Sequence, residues 1–266
     1  MQCLNNNQIY KKCQRDTLFK YFDQCMYCSK KFLDIIFPRK CILCDSPHDG
    51  DAETICPNCM DKIPFIKGSA CARCGMPFEV TYTIEESLNY LCGECRSSPP
   101  LFDRALSVCQ YDETARDIIS AYKYHNKPYI GKDLVSIILK FLDEKITELS
   151  SELIIHVPLH IKRLKERGYD QAYILSEGIG IRHGIPVSYG NLVRMRYTAP
   201  QVNLSGSERM KNVKGAFLIT DPSELKDKSI LLIDDVFTTG ATIKESVKVI
   251  KRAGAGKVYV LTFARV

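Results

Sequence analysis

The chain has 266 residues, enough at roughly 100–200 per domain for one large domain or two smaller ones. Its 45% hydrophobic and 26% charged content is that of a globular protein and excludes wholesale disorder. A formal charge of +6 favours polyanionic partners, while no apolar run approaches the roughly 18–20 residues of a membrane span, ILLI at 230–233 being about the greasiest.

Residues 1–31 read as a basic N-terminal extension. Over residues 1–40, Lys and Arg at 11, 12, 15, 20, 30, 31, 39 and 40 outweigh Asp at 16, 23 and 34. The opening MQCLNNNQIYKK has no apolar core for a signal peptide, so a cytoplasmic location is expected. Cys25 and Cys28 form a C-x-x-C pair without an obvious partner and read as free thiols.

Residues 32–100 hold four further C-x-x-C pairs: Cys41/Cys44, Cys56/Cys59, Cys71/Cys74 and Cys92/Cys95. Each pair makes a tight knuckle that presents two thiolates, and two knuckles complete a tetrahedral zinc site. Pairing in sequence order gives a double zinc ribbon with one or two structural Zn2+ ions, although interleaved pairing satisfies the same spacing. In C-A-R-C-G the glycine eases the turn after the knuckle. Redox-active dithiols are the competing reading, but these normally come as one C-x-x-C beside a strand–helix unit. A cysteine-rich segment of this size buries too little apolar surface to fold unaided, so the metal is expected to supply folding free energy.

From residue 101 to 266 the texture becomes that of an α/β domain. ALSVCQY (105–111) predicts a strand and ARDIISAY (115–122) a helix. Leu134, Ile137, Ile138, Phe141, Leu142 and Ile146 keep helical spacing. LIIHVP (153–158) predicts a short strand ended by Pro158, and 167–184 a helix ended by its terminal glycine. SILLIDD and KVYVLTF are unbroken β-rich runs on either side of the helix ATIKESVKVIKRAG. This alternation predicts a parallel sheet covered by helices on both faces.

SILLIDDVFTTGATIKES (229–246) carries the most chemistry. A buried central strand would deliver Asp234 and Asp235 to its C-terminal end, where open α/β sheets bind ligands. In the loop that follows, Gly240 permits a turn, Thr238, Thr239 and Thr242 offer hydroxyls, and the next helix adds free N–H groups. Such a nest suits a phosphate, while the carboxylates suit the hydroxyls of a sugar. Without G-K-[ST] it is not a triphosphate P-loop.

IDDVFTTGAT resembles the phosphoribosyl pyrophosphate (PRPP) motif of type I phosphoribosyltransferases. With it, F-P-R-K-C-I-L-C, C-A-R-C-G, Y-K-Y-H (122–125), V-P-L-H (157–160), R-G-Y-D-Q-A (167–172), A-P-Q-V-N-L (199–204) and E-R-M-K-N-V-K-G-A-F (208–217) resemble the ComF family. Members of that family join a zinc-ribbon module to a type I phosphoribosyltransferase-like domain, and competence proteins of transformable bacteria belong to it. The resemblance runs from about residue 32 to 266.

The resemblance implies that Asp234 and Asp235 hold ribose hydroxyls, and that Val236, Thr238, Thr239, Gly240, Ala241 and Thr242 shape the 5′-phosphate cradle. It places Val157 and Pro158 in the pyrophosphate loop, with Arg167, Arg194 and Arg209 as candidate contacts near a closing loop, and Mg2+ accompanying PRPP. VPLHIKRLKERG departs from the pattern, lacking the small residues usual after the pyrophosphate strand, and no acceptor-binding hood is identifiable. His125 and His160 read as packing or surface residues rather than catalysts. Two functions follow: a phosphoribosyltransferase of unidentified acceptor, and a DNA-uptake protein that handles single-stranded DNA through its basic clusters and tyrosines.

Overall fold

The computed structural model describes residues 39–48, 54–78, 90–124, 126–197 and 206–266, with the side chains of Gly206, Ser207 and Arg209 excepted. The N-terminal extension with Cys25 and Cys28, residues 198–205 of the closing loop expected from Arg194 to Arg209, and His125 lie outside the described residues. The chain divides into two units at Cys56/Pro57.

Within the first unit, Lys40 bridges Pro47 and the first knuckle closes through Cys41 N donating to Ser46 O at 2.9 Å and Asp45 N to Cys41 O at 2.9 Å. The second unit repeats this geometry around Cys71: Ala70 bridges Pro77, Cys71 N donates to Met76 O at 2.8 Å, and Gly75 N to Cys71 O at 2.8 Å. Two short helices carry the partner cysteines, α1 (Pro57–Met60) with Cys59 and α2 (Gly93–Ser97) with Cys95.

The rest of the second unit is the expected α/β layer. β1 (Arg104–Gln110) leads through α3 (Glu113–Tyr124) and α4 (Ile130–Glu148) to β2 (Leu153–His156). Then follow α5 (Ile161–Arg167), α6 (Gln171–His183), β3 (Val187–Ser188), β4 (Leu192–Arg194), α7 (Gly206–Val213), β5 (Phe217–Ile219), β6 (Ile230–Phe237), α8 (Ala241–Arg252) and β7 (Val258–Arg265). Five strands form one sheet in the order β1-β7-β6-β2-β3, all neighbours parallel, and β4 pairs with β5 in a separate antiparallel ribbon. Among the described residues no helix is long and apolar enough to cross a membrane.

The segment 167–184 is not one helix. Arg167 ends α5, Gly168 turns left-handed at φ +81°, and Asp170 caps α6 by accepting from Ala172 N and Tyr173 N. Gly168 followed by the Asp170 N-cap is a stop and a start, so the expected single helix divides there.

The sheet core follows strand alternation. Leu153 and Ile155 of β2, Ile230 and Leu232 of β6, and Val258 and Val260 of β7 share one hydrophobic cluster with Ile243, Val247 and Ile250 of α8. Cys71, Cys74 and Cys95 belong to the same cluster, so the described residues of the second ribbon share their core with the sheet. Ala105 N donates to Arg73 O at 2.7 Å, and the buried Arg265 side chain reaches the carbonyl of Cys74. On the outer side of β1, Phe65 bridges Cys109 and Ile66 N donates to Val108 O, which covers the sheet edge.

Candidate functional site

In each of two groups, Cys41, Cys44, Cys56, Cys59 and Cys71, Cys74, Cys92, Cys95, the four sulfurs lie within 4.8 Å of one another. Pairing is therefore in sequence order. The Sγ atoms of Cys44 and Cys56 are 3.7 Å apart, as are those of Cys74 and Cys92. A disulfide needs about 2.05 Å, whereas thiolates about 2.3 Å from a tetrahedral ion stand about 3.8 Å apart. Backbone N–H groups approach the sulfurs as well, Cys56 N at 3.4 Å from Cys41 Sγ and Cys92 N at 3.3 Å from Cys71 Sγ. Burial works against the Cys71 thiolate, yet the backbone N–H groups of Cys74, Cys92 and Arg73 outweigh it and bring the thiol down to about 7. Four converging sulfurs and no open ligand position fit structural zinc.

A second site opens over the carboxyl ends of the strands, a cleft of about 700 Å3. Its floor is Asp234, Asp235 and Val236 at the end of β6; Thr238 and Thr242 form one side and the Val157–His160 turn after β2 the other. Lys123, Arg163, Arg167 and Arg194 supply cations around it. The Thr238–Thr242 turn is set by Gly240, which caps α8 at φ +70°; a Cβ there would stand 3.0 Å from the Phe237 ring. A left-handed residue pressed against an aromatic ring leaves glycine as the unstrained choice. Thr239 Oγ1 accepts from Ala241 N at 3.4 Å, and the first turn of α8 leaves N–H groups for an anion.

The two carboxyls differ. Asp235 is buried, and both its oxygens are engaged: Lys123 Nζ donates to Oδ1 at 2.7 Å and Gln171 Nε2 to Oδ2 at 2.9 Å. Asp234 is half-buried, and its Oδ1 accepts from Asp235 N at 2.8 Å. Burial and the neighbouring Asp235 charge push its carboxyl up to about 8, against the opposing pull of Lys123. Near neutral pH it is therefore largely a neutral acid that can donate to a ligand oxygen, and it repels an anion little. Burial lowers the pKa of Arg194, with Asp234 pulling the other way.

These carboxyls do not fit Mg2+. A hard divalent ion wants open carboxylate oxygens, but those of Asp235 already hold Lys123 and Gln171, and Asp234 Oδ1 accepts from Asp235 N. The Mg2+ anticipated with PRPP thus finds no protein ligands in this pair.

The turn after β2 is also constrained. Val157 N donates to Ile233 O at 2.9 Å, Pro158 has no N–H, and Leu159 N donates to Asp170 Oδ2 at 3.0 Å. The amides of Val157 and Leu159 are thus engaged, and Arg163, Arg167 and Arg194 are the cations that can meet an anion on that side. This follows from the missing small residues in the sequence. His160 lines the cleft but caps α5, its Nδ1 accepting from Lys162 N at 3.2 Å.

Val157, Pro158, Arg167, Arg194, Asp234, Asp235, Val236, Thr238 and Thr242 thus line one cleft, with Thr239, Gly240 and Ala241 completing the turn into α8. Arg209 lies on α7, its side chain outside the described residues. Sequence reasoning assigned no role to Lys123, Asp170 or Gln171. The only signal was their place in Y-K-Y-H and R-G-Y-D-Q-A, since the partners they meet lie far away in the chain.

Comparison with known proteins matches the chain to two domain families. The double zinc ribbon domain family matches residues 32–96, and the phosphoribosyl transferase domain family matches residues 164–266. The chain is 30% identical over 233 residues to competence protein F of Haemophilus influenzae, covering 86% of this chain and 98% of that protein. It is 29% identical to DNA utilization protein YhgH of Salmonella typhimurium (86% of this chain, 97% of the relative). It is 28% identical to competence protein ComFC of Streptococcus pneumoniae (85% and 87%).

Proposed function

The chain belongs to the competence protein F (ComF) family, and on that premise we propose that its cleft binds PRPP through the ribose 5-phosphate moiety. One observation carries this reading: the acidic pair of β6 and the Thr238–Thr242 turn face a single cleft with Arg163, Arg167 and Arg194 around it. The turn and the N-terminus of α8 take the 5′-phosphate, and Asp234 with Lys123 meets the ribose hydroxyls. The arginines take the diphosphate, whose Mg2+ arrives with the ligand rather than on protein carboxylates. In a transferase reaction an acceptor would displace pyrophosphate from C1, and cations beside the leaving group would stabilise its developing charge. Free thiolate ligands need reducing conditions, so this reading locates the protein in the cytoplasm.

Calorimetric titration of the zinc-loaded protein with PRPP in Mg2+ buffer tests binding. Thr238→Val should weaken it by about tenfold or more, the loss of one hydrogen bond to a charged group. Undiminished affinity in that variant sinks the phosphate assignment. Pyrophosphate release with candidate acceptors then decides turnover.

A second reading, single-stranded DNA handling without catalysis, is favoured by α5. No residue of this helix is buried, and Lys162 Nζ stands 4.8 Å and the Arg163 guanidinium 5.8 Å from the centre of the Tyr197 ring. Cations around a partly exposed aromatic are the components of a base-stacking platform.

A further inference from the structure

Lys123 is the cation of the cleft that contacts the acidic pair directly. It stands in the last turn of α3, and its Nζ reaches across to Asp235 Oδ1 at 2.7 Å. The other oxygen of that carboxylate takes Gln171 Nε2, and Gln171 Oε1 in turn accepts from Arg167. The Asp235 side chain is only 5% exposed, while that of Lys123 is 22% exposed and lines the cleft. Burial works against the ammonium, but Asp235 beside it raises its pKa, so it stays charged. A cation of the chain itself therefore balances the buried Asp235 carboxylate. An ammonium has three donors, and the ones not given to Asp235 are available to a ligand's hydroxyl or phosphate oxygens.

We propose that Lys123 is the resident counter-ion of the ribose-phosphate subsite, so that sugar monophosphates bind there without a divalent metal. The inference rests on the PRPP reading of the cleft and adds a cofactor requirement to it: a monophosphate needs no Mg2+, and the ion matters only for the diphosphate. A merely structural Lys123–Asp235 pair would leave metal dependence untouched, which makes that dependence the decisive readout.

The experiment titrates zinc-loaded protein with ribose 5-phosphate in buffer stripped of Mg2+ by resin, with no soluble chelator so that zinc stays in place, and again after adding Mg2+. The wild type should bind equally well in both. Lys123→Met should bind about tenfold or more weakly without Mg2+, as for one lost charge-assisted contact, and should regain affinity when Mg2+ takes the vacated place. Wild-type binding that appears only with Mg2+ overturns the proposal and leaves the PRPP reading standing, as does unchanged affinity of Lys123→Met without Mg2+. No binding of either ribose 5-phosphate or PRPP in either buffer overturns both. If Lys123→Met does not fold, Lys123→Gln, neutral and polar, takes its place in both titrations and is held to the same two outcomes.

Discussion

Asp234 and Asp235 are adjacent in sequence and chemically opposite in the fold. The alternation of β6 buries one against Lys123 and Gln171 and leaves the other half-buried at the cleft. The raised Asp234 pKa has a definite consequence for stability. Its folded value of about 8 lies above that of an unfolded aspartate, so between about pH 4 and pH 8 the native state holds a proton that the unfolded state has released. Stability from this group is full below the unfolded pKa and declines as pH rises through the folded one. Asp234→Asn imitates the neutral acid and keeps an oxygen for Asp235 N. The melting temperature of the wild type should therefore fall relative to Asp234→Asn from pH 5 to pH 8, and the gap should stop widening above that. Parallel melting curves across this range would show that Asp234 titrates normally. The acidic pair was legible as a motif in the sequence. Its division into one paired and one neutral member was not, because Lys123 and Gln171 come from elements 112 and 64 residues away.

At the scale of elements, the strands and long helices were readable because each is a single hydrophobic period. Strand β6 and helix α8 lie where the unbroken run and the amphipathic repeat put them. The stretch 161–184 was less legible, since α5 is a polar turn of helix with no buried residue and its boundary with α6 rests on two capping residues. That same polarity makes α5 the test of the nucleic-acid reading. Phosphate contacts by Lys and Arg release counter-ions, so affinity for single-stranded DNA falls with salt in proportion to the contacts made. The double variant Lys162→Glu and Arg163→Glu should weaken binding of an oligothymidylate by about tenfold or more and flatten its salt dependence by about two contacts. An unchanged slope would remove α5 from any DNA interface. Tyr197→Ala should weaken binding while leaving the slope alone, because stacking carries no counter-ion term.

For the whole molecule, the cysteine spacing foretold a metal-stapled segment, and the two sulfur clusters agree with it. What spacing does not encode is that the second ribbon shares its hydrophobic cluster with the sheet. Cys71, Cys74 and Cys95 pack with Phe102, Ala105 and the inner faces of β2, β6 and β7. Gly75 turns at φ +71° with its Cα against β1, so that a Cβ would fall 2.6 Å from Ala105 O. Loss of zinc from this cluster should therefore be felt across the sheet rather than only in the ribbon. Stripping zinc should lower the melting temperature of the α/β sheet itself, read from helix and strand signals and from protease cuts within 101–266. Gly75→Ala, with zinc retained, should destabilise the same cooperative unit by on the order of 1–3 kcal/mol through backbone strain and the clash with Ala105. If chelation exposes only residues 57–100 to protease while the sheet melts unchanged, the ribbon is an independent module. In that case the buried reach of Arg265 to the Cys74 carbonyl contributes nothing to the stability of the sheet.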